Sequence, residues 1–380
     1  MSLTPESQVT VSPILPRIIY VPIEPLSERY TEQWYRKFPE AFNAHGFEVM
    51  VIDGTPLLHN EIKVGAFLDI NSTVHYKMSQ LQAIAKMFHN GEVRRGDIFF
   101  FGDIEFWGLE SIKLMAQMND IKVVLTGFLH AASYTKEDAF SVAADYQQFT
   151  EVGWLAALDK VFIGSVYHKQ AIVERRNLPH ILASKIVVTK NPLFLDEYHD
   201  FGPVKKQRKV LLTNRFDQEK RPGETINLFR SLKQSFPNWE FVVCTSRPGF
   251  RGRGEDNQIL NQAVSQNLVN IKPGLTKEQY HRELAEAYMV VSHSIEENYG
   301  YCIAEAIHYG CIPILRAGMS HDEFVTPQYT FNFNHVGERH ETADYKVASK
   351  WMRRFGLPTP VIPLDTSGMQ NIINELLDLR

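Results

Sequence analysis

Two glutamates eight residues apart, Glu297 and Glu305, flank a glycine in the stretch Ser294-Ile-Glu-Glu-Asn-Tyr-Gly-Tyr-Cys-Ile-Ala-Glu305. An apolar run, Tyr288–Val291, precedes them, and a helical pattern ending at Gly310 follows. This order predicts a strand, a loop with glycine, and a helix N-terminus, with Glu305 about two turns into the helix. The unpaired N–H groups and positive dipole end of such a helix attract an anion. One carboxylate before the anion position and one beyond it can accept hydroxyl hydrogens on either side. A nucleoside diphosphate sugar has the matching groups: sugar hydroxyls, a diphosphate and ribose hydroxyls.

The stretch resembles the paired-glutamate motif E-x-F-G-x-x-x-x-E of retaining glycosyltransferases of the two-domain GT-B architecture, family 4 in particular. Glu297, Tyr299 (aromatic for Phe), Gly300 and Glu305 match it. The resemblance implies an α/β fold of two Rossmann-like, doubly wound domains with a cleft between them. It also implies transfer of a sugar from a nucleotide donor, a UDP-sugar or a GDP-sugar, to an acceptor hydroxyl with retention and without a metal. Glu297 would hold sugar hydroxyls, the backbone of Asn298, Tyr299, Gly300, Tyr301 and Cys302 would reach the phosphates, and Glu305 would hold the ribose.

A second stretch, Leu212-Thr-Asn-Arg-Phe-Asp-Gln-Glu-Lys220, is similar to the family's G-R-x-x-x-x-K, with Arg215 and Lys220 at the same offset and Asn214 in place of glycine. The resemblance gives these cations the diphosphate, whose charge grows as the glycosidic bond breaks. Arg221 offers a third charge. A looser match, Gly318-Met-Ser-His-Asp-Glu323, places Asp322 and Glu323 as helix N-terminal residues rather than ligands. In the first half, His130 follows a strand at the position where many family members carry a histidine against the donor sugar. Asp103, with Glu105 in Phe101-Gly-Asp-Ile-Glu, follows the preceding strand, and one of these carboxylates would position or deprotonate the acceptor hydroxyl. The first strand departs from the family. Instead of a glycine-rich loop it is followed by Pro22-Ile-Glu-Pro-Leu-Ser-Glu-Arg-Tyr30, which turns Glu24, Arg29 and Tyr30 to the crevice. That segment is similar to phage-encoded glycosyltransferases, some of which modify hydroxymethylated DNA bases.

These residues need a scaffold that puts loops side by side. Short apolar runs at Arg17–Val21, Phe47–Ile52, Asp97–Gly102, Lys122–Thr126, Lys160–Ile163 and Lys185–Val188 alternate with helical patterns at Glu32–Ala44, Ser79–His89, Leu109–Asn119 and Tyr167–Asn177. The alternation predicts a doubly wound parallel sheet, whose ligands lie at the carboxyl ends of its strands. It restarts at Lys209–Asn214. The strands Trp239–Cys244, Val269–Ile271 and Ile312–Leu315 follow, with helices Glu224–Ser235, Lys277–Ala287 and Ala304–Tyr309 and an Arg/Gly-rich loop, Arg247–Asp256. The domains are expected at 13–200 and 201–340. Residues 1–12 are expected to be disordered, and Asn191 to Lys209 to be a solvated basic linker. The helices Ala343–Phe355 and Gly368–Leu379, within 341–380, are expected to cross back to the first domain.

The chain has 380 residues and a net charge of −4, which suits two cores. Its first 200 residues hold 18 Lys+Arg and 24 Asp+Glu, and the remainder 22 and 20, so the halves carry −6 and +2. No strongly basic domain speaks for nucleic acid. The only local support for DNA is the Arg247–Arg253 loop and the tail Lys346, Lys350, Arg353 and Arg354 with Trp351. No apolar run spans a membrane and no signal core is present. Cys244, Cys302 and Cys311 fit neither a metal nor a disulfide framework, which points to reduced thiols and the cytoplasm. The expected activity is therefore a glycosyltransferase acting on an unidentified acceptor. The alternatives are a transferase acting on DNA bases and a catalytically silent nucleotide-sugar-binding subunit.

Overall fold

Ile-Ile-Tyr-Val and Ile-Phe-Phe-Phe, in β1 (Ile18–Val21) and β3 (Ile98–Phe101), are buried along their whole length. Strands buried on both faces belong in a parallel sheet covered by helices, and a computed structural model of the protein has two such sheets. It describes residues 15–26, 29–57, 69–135, 139–245, 254–332 and 342–379. The expected disorder of residues 1–12 and the loop Arg247–Arg253 lie outside them.

The first sheet runs β2-β1-β3-β4-β5-β6, where β2 is Val49–Val51, β4 Val124–Phe128, β5 Lys160–Ile163 and β6 Ile186–Val188. The second runs β12-β11-β10-β7-β8-β9. Its strands are β7 (Gln207–Leu212), β8 (Glu240–Thr245), β9 (Asn270–Pro273), β10 (Ala287–Ser292), β11 (Ile312–Arg316) and β12 (Thr330–Phe331). Every pairing is parallel. In the second sheet the chain winds outward from β7 through β8 and β9, then returns to β10 on the other side. The crevice between β7 and β10 is the switch point where such sheets bind ligands. The matching crevice of the first sheet lies between β1 and β3.

The strands form where the apolar runs predict them, but the helices differ more. Ile70–His89 starts nine residues before the expected Ser79, capped by the Asp69 carboxylate on the Asn71 N–H. Ala144–Ala157 was not anticipated; its buried residues include Gln147 and Glu151, which blurs its apolar stripe. Gly254–Ser265 occupies the end of the expected Arg247–Asp256 loop. The linker reading also changes at its basic end. Lys209 lies buried within β7, its ammonium 3.1 Å from Glu283 and 3.0 Å from Glu286. Lys206 donates to the carbonyls of Leu284 and Tyr309. Both lysines tie the linker end to the second domain because carboxylates or carbonyls meet each charge.

Tyr20, Trp34, Phe38, Phe42 and Phe100 pack in an aromatic cluster on one side of the first sheet. Ile372, Ile373 and Leu376 of the last helix, Gly368–Leu377, are buried in that same cluster. The preceding helix, Ala343–Met352, packs instead on the second domain, where Trp351 and Met352 join the core of Val210, Val243 and Val290.

Candidate active site

The loops after β7 and β10 meet at the crevice of the second sheet. The loop after β10 carries Glu297 and then turns at Gly300, whose φ of +92° few residues other than glycine adopt. The helix Tyr301–His308 starts there, burying Ile303, Ala304 and Ile307. Glu305 is its fifth residue, just over one turn in rather than two. The Ile303 and Ala304 N–H groups return to the Gly300 carbonyl, at 3.0 and 3.1 Å.

The loop after β7 supplies the cations. Lys220 ends a short 3-10 turn, Gln218–Lys220. Its ammonium lies 2.8 Å from Glu297 Oε2 and donates to the Glu296 carbonyl at 3.0 Å. Burial opposes charge on both members of this pair. The Lys220 ammonium is nonetheless held above its usual range by Glu297 and Glu219. The Glu297 carboxyl is held below its usual range by Lys220 and His321. Both stay ionised near neutral pH. Arg215 reaches Asp217 and Glu219, each at 3.0 Å. Asn214, standing where the motif has glycine, is buried and donates to Ser292 Oγ at 3.1 Å and Ser294 Oγ at 2.9 Å. The departure from glycine thus pins the β7 loop to the β10 loop.

Glu305 faces a cavity of about 180 Å³ lined by Thr213, Asn214, Arg215, Cys244, Thr245, Leu275, Lys277, Tyr280, Tyr301, Tyr198, Tyr30 and Gln33. Burial pushes its carboxyl up to about 7, against the opposing influence of Lys277 and Tyr280. The cavity draws on both domains and on the linker residue Tyr198. Tyr30 closes it from the first domain, its ring stacked on Tyr301 at 5.0 Å and 13°.

The first domain contributes His130 and Asp103 beside Tyr30. His130 Nε2 pairs with the Gly102 carbonyl at 2.9 Å, and its ring packs on Tyr30, Trp34 and Phe128. Burial lowers its pKa despite Asp103, so it is neutral. Asp103 forms an ion pair with Lys77 at 2.9 Å. Burial would raise its carboxyl, but Lys77 and His130 outweigh that and hold it below its usual range. A carboxylate held in this way is a weak base, better suited to orienting a hydroxyl than to deprotonating it. Asn298 joins the halves of the site by donating to the His130 carbonyl at 3.0 Å.

Three residues had no signal as site residues in the sequence. His321 is fully buried, and neither ring nitrogen has a hydrogen-bond partner among the described residues. Burial takes its pKa down to about 4, against Glu297. Its Nε2 lies 2.8 Å from where a Cβ on Gly300 would be, so the loop after β11 packs against the turn. Glu296 and Glu323 reach across the cleft. Glu323, expected to start a helix of its own, instead accepts from the N–H groups of Val166 and Tyr167 in the first domain, at 3.1 and 2.9 Å. Among the described residues no group of three or more His, Cys, Asp or Glu is placed to hold a metal. No helix among them is long and apolar enough to cross a membrane.

Residues 196–343 match the family Glycosyl transferases group 1. No curated protein matches the chain by sequence. Among solved structures, the catalytic domain of starch synthase IV from Arabidopsis thaliana, bound to ADP and acarbose, is similar at a TM-score of 0.64 and 12% identity, covering 96% of this chain and 99% of that one. HepE from Anabaena, in complex with UDP and glucose, is similar at 0.58 and 13%, covering 96% and 100%. TarM from S. aureus, in a complex that includes UDP, is similar at 0.50 and 14%; the chain spans 60% of its length and 82% of the chain is covered. Likenesses at this identity carry the fold: two Rossmann-like domains in the GT-B arrangement.

Proposed function

We propose that the protein is a retaining, metal-independent glycosyltransferase that moves a sugar from a UDP-sugar to the hydroxyl of a neutral acceptor. The observation that carries this reading is the Lys220–Glu297 pair at the start of the helix that bears Glu305. One short segment offers a cation and helix N–H groups to a diphosphate, a carboxylate to the sugar, and a carboxylate to the ribose. Its match to the glycosyl transferase family supports the same reading. HepE and TarM hold UDP, whereas starch synthase IV holds ADP, which favours a uridine donor over a GDP-sugar.

In this reading Glu305 holds the ribose hydroxyls in the cavity, and the backbone of Asn298, Tyr299, Gly300, Tyr301 and Cys302 holds the diphosphate. Lys220 and Arg215 stabilise the charge that develops on the β-phosphate. Glu297 holds hydroxyls of the transferred sugar, and His130 lies on the opposite wall. The glycosidic bond breaks toward an oxocarbenium-like state. The acceptor oxygen attacks the same face, and its proton passes to the leaving phosphate. Asp103 orients the acceptor.

The acceptor wall favours a neutral polyol over DNA. Its carboxylate is Asp103, and the ammonium beside it, Lys77, is buried and already paired with Asp103. Trp351 does not face solvent; it is 3% exposed and stacked on Tyr329, so it offers no platform for a DNA base.

The test is thermal stabilisation by UDP, GDP and ADP, repeated with Glu305→Ala. It is followed by NMR of the anomeric configuration of any product formed with UDP-sugars and simple polyols. A shift with UDP alone, lost in the variant, and an unchanged anomeric configuration are expected. A shift with no nucleotide would remove the donor reading, and an inverted product would remove the mechanism.

A further inference from the structure

Across the cleft, the helix Val166–Arg175 of the first domain points its N-terminus at the second domain. Ser165 caps it, accepting from the His168 N–H at 3.1 Å, and at the same time donates to the Asn298 carbonyl at 2.7 Å. Its first two N–H groups have a side-chain partner. They are taken by Glu323, whose carboxylate also binds Lys190 at 2.9 Å. A carboxylate suits this position because helix N–H groups and the helix dipole both favour negative charge there. Glu296 spans the same helix from its first turn to its last residue, accepting from the Tyr167 hydroxyl at 3.2 Å and from Arg175 at 3.1 Å. Two carboxylates of the second domain therefore grip one helix of the first.

Glu296 is also tied to the donor side. Its carbonyl and the carboxylate of its neighbour Glu297 share the ammonium of Lys220, at 3.0 and 2.8 Å. The chain of contacts runs from Lys220 through the backbone of Glu296 to Tyr167 and Arg175. Displacing Lys220 or Glu297 moves the residue whose side chain holds the other domain.

We propose that Glu296 and Glu323 are positioning residues that latch the helix Val166–Arg175 to the loops of the second domain and so hold the cleft shut over the donor. They touch neither sugar nor phosphate. They act through segment 296–298, so the latch and the donor-side contacts share one stretch of backbone. The latch consists of hydrogen bonds and ion pairs at a partly wet interface, so it can open, and salt weakens it. Shut, it keeps water from the breaking glycosidic bond. The purpose of closure rests on the donor reading above; the latch itself rests on the contacts.

The test uses the full chain, wild type and Glu296→Ala/Glu323→Ala, in small-angle X-ray scattering with and without UDP at low and high salt. UDP binding is followed by calorimetry. A compact globule of this length has a radius of gyration of about 21 Å. The wild type with UDP is expected near that value, and the double variant above it. Both should unfold at the same temperature without ligand, and UDP affinity should differ less than about threefold. High salt should move the wild type toward the variant. Where turnover is measured, kcat should fall roughly tenfold with donor KM little changed, and hydrolysis of the donor should rise relative to transfer. Glu323→Gln, which keeps the oxygen but loses the charge, should lie between. Equal radii for the two proteins in every condition would overturn the latch, whatever UDP does. A larger variant with no UDP binding to either protein would keep the latch and remove the donor reading.

Discussion

At the scale of single residues, the site shifts two carboxylates of one motif in opposite directions. Glu297 sits against an ammonium and is held ionised, whereas burial pushes Glu305 up to about 7 although Lys277 and Tyr280 pull it down. Sequence spacing places both residues but cannot distinguish them, because the difference comes from Lys220, 77 positions away in the chain. His321, Glu296 and Glu323 were illegible for a related reason: nothing in their local pattern says which loop or domain they will face. The state of Glu305 has two measurable consequences. Ribose hydroxyls donate best to an ionised carboxylate, so UDP affinity should rise as pH increases from 6 through about 7 and then level off. Stability should change in the opposite direction. The folded value lies above the ordinary 4.5, so the folded state holds this proton more tightly than the unfolded chain. Raising the pH between those values therefore removes stability. Glu305→Gln should raise the melting temperature at pH 8, leave it nearly unchanged at pH 4, and abolish the pH dependence of UDP binding. A variant no more stable than wild type at pH 8 would show that burial does not strain this carboxylate.

Among the elements, strands were the most legible and helix starts the least. Runs such as Ile-Phe-Phe-Phe and Tyr-Met-Val-Val are too apolar to sit anywhere but a buried sheet, and their order alone implies the winding. Helix ends depend on caps and partners. Asp69 caps a helix that begins among polar residues, and the helix Ala144–Ala157 buries Gln147 and Glu151, with Glu151 paired to Arg176 at 2.6 Å. The turn into the helix Tyr301–His308 was legible because a single glycine marks it. Gly300 is required there twice over: its φ is +92°, and a Cβ would lie 2.8 Å from His321 Nε2 and 3.3 Å from Glu297 Cγ. Gly300→Ala should cost about 1–3 kcal/mol by denaturant unfolding and weaken UDP binding. Gly300→Ala/His321→Ala separates the two causes. Removing the ring relieves the contact but not the backbone strain, so the double variant should bind UDP better than Gly300→Ala while staying less stable than His321→Ala. If the double variant matched Gly300→Ala in UDP affinity, the His321 contact would be irrelevant to the turn.

For the molecule as a whole, the two domains are built differently. The second domain has its own core, in which Val210, Val243, Val290 and Trp351 belong to one cluster. The first domain is completed by the end of the chain. Ile372, Ile373 and Leu376, each 1% exposed or less, fill the aromatic side of its sheet. Lys160 and Glu375 pair at 2.5 Å, and Asn371 donates to the Thr189 carbonyl at 3.0 Å. The outgoing and returning strands of chain meet at Gly368, where a Cβ would lie 2.5 Å from the Asn191 carbonyl oxygen. The first domain therefore folds on material synthesised after the second. Each of the three aliphatic side chains is worth about 1.5–3 kcal/mol when fully buried, so together roughly 5–9 kcal/mol. That is comparable with the net stability of an entire domain, about 5–15 kcal/mol. Ending the chain at Asp365 should therefore unfold the first domain and leave the second standing. Calorimetry should then show one transition of reduced enthalpy. Hydrogen exchange should be fast at amides of β1 and β3, yet remain slow at β7 and β10. Slow exchange in β1 and β3 of the shortened chain would mean that the first domain is complete without the returning helix. The helix would then serve only to tether the two halves.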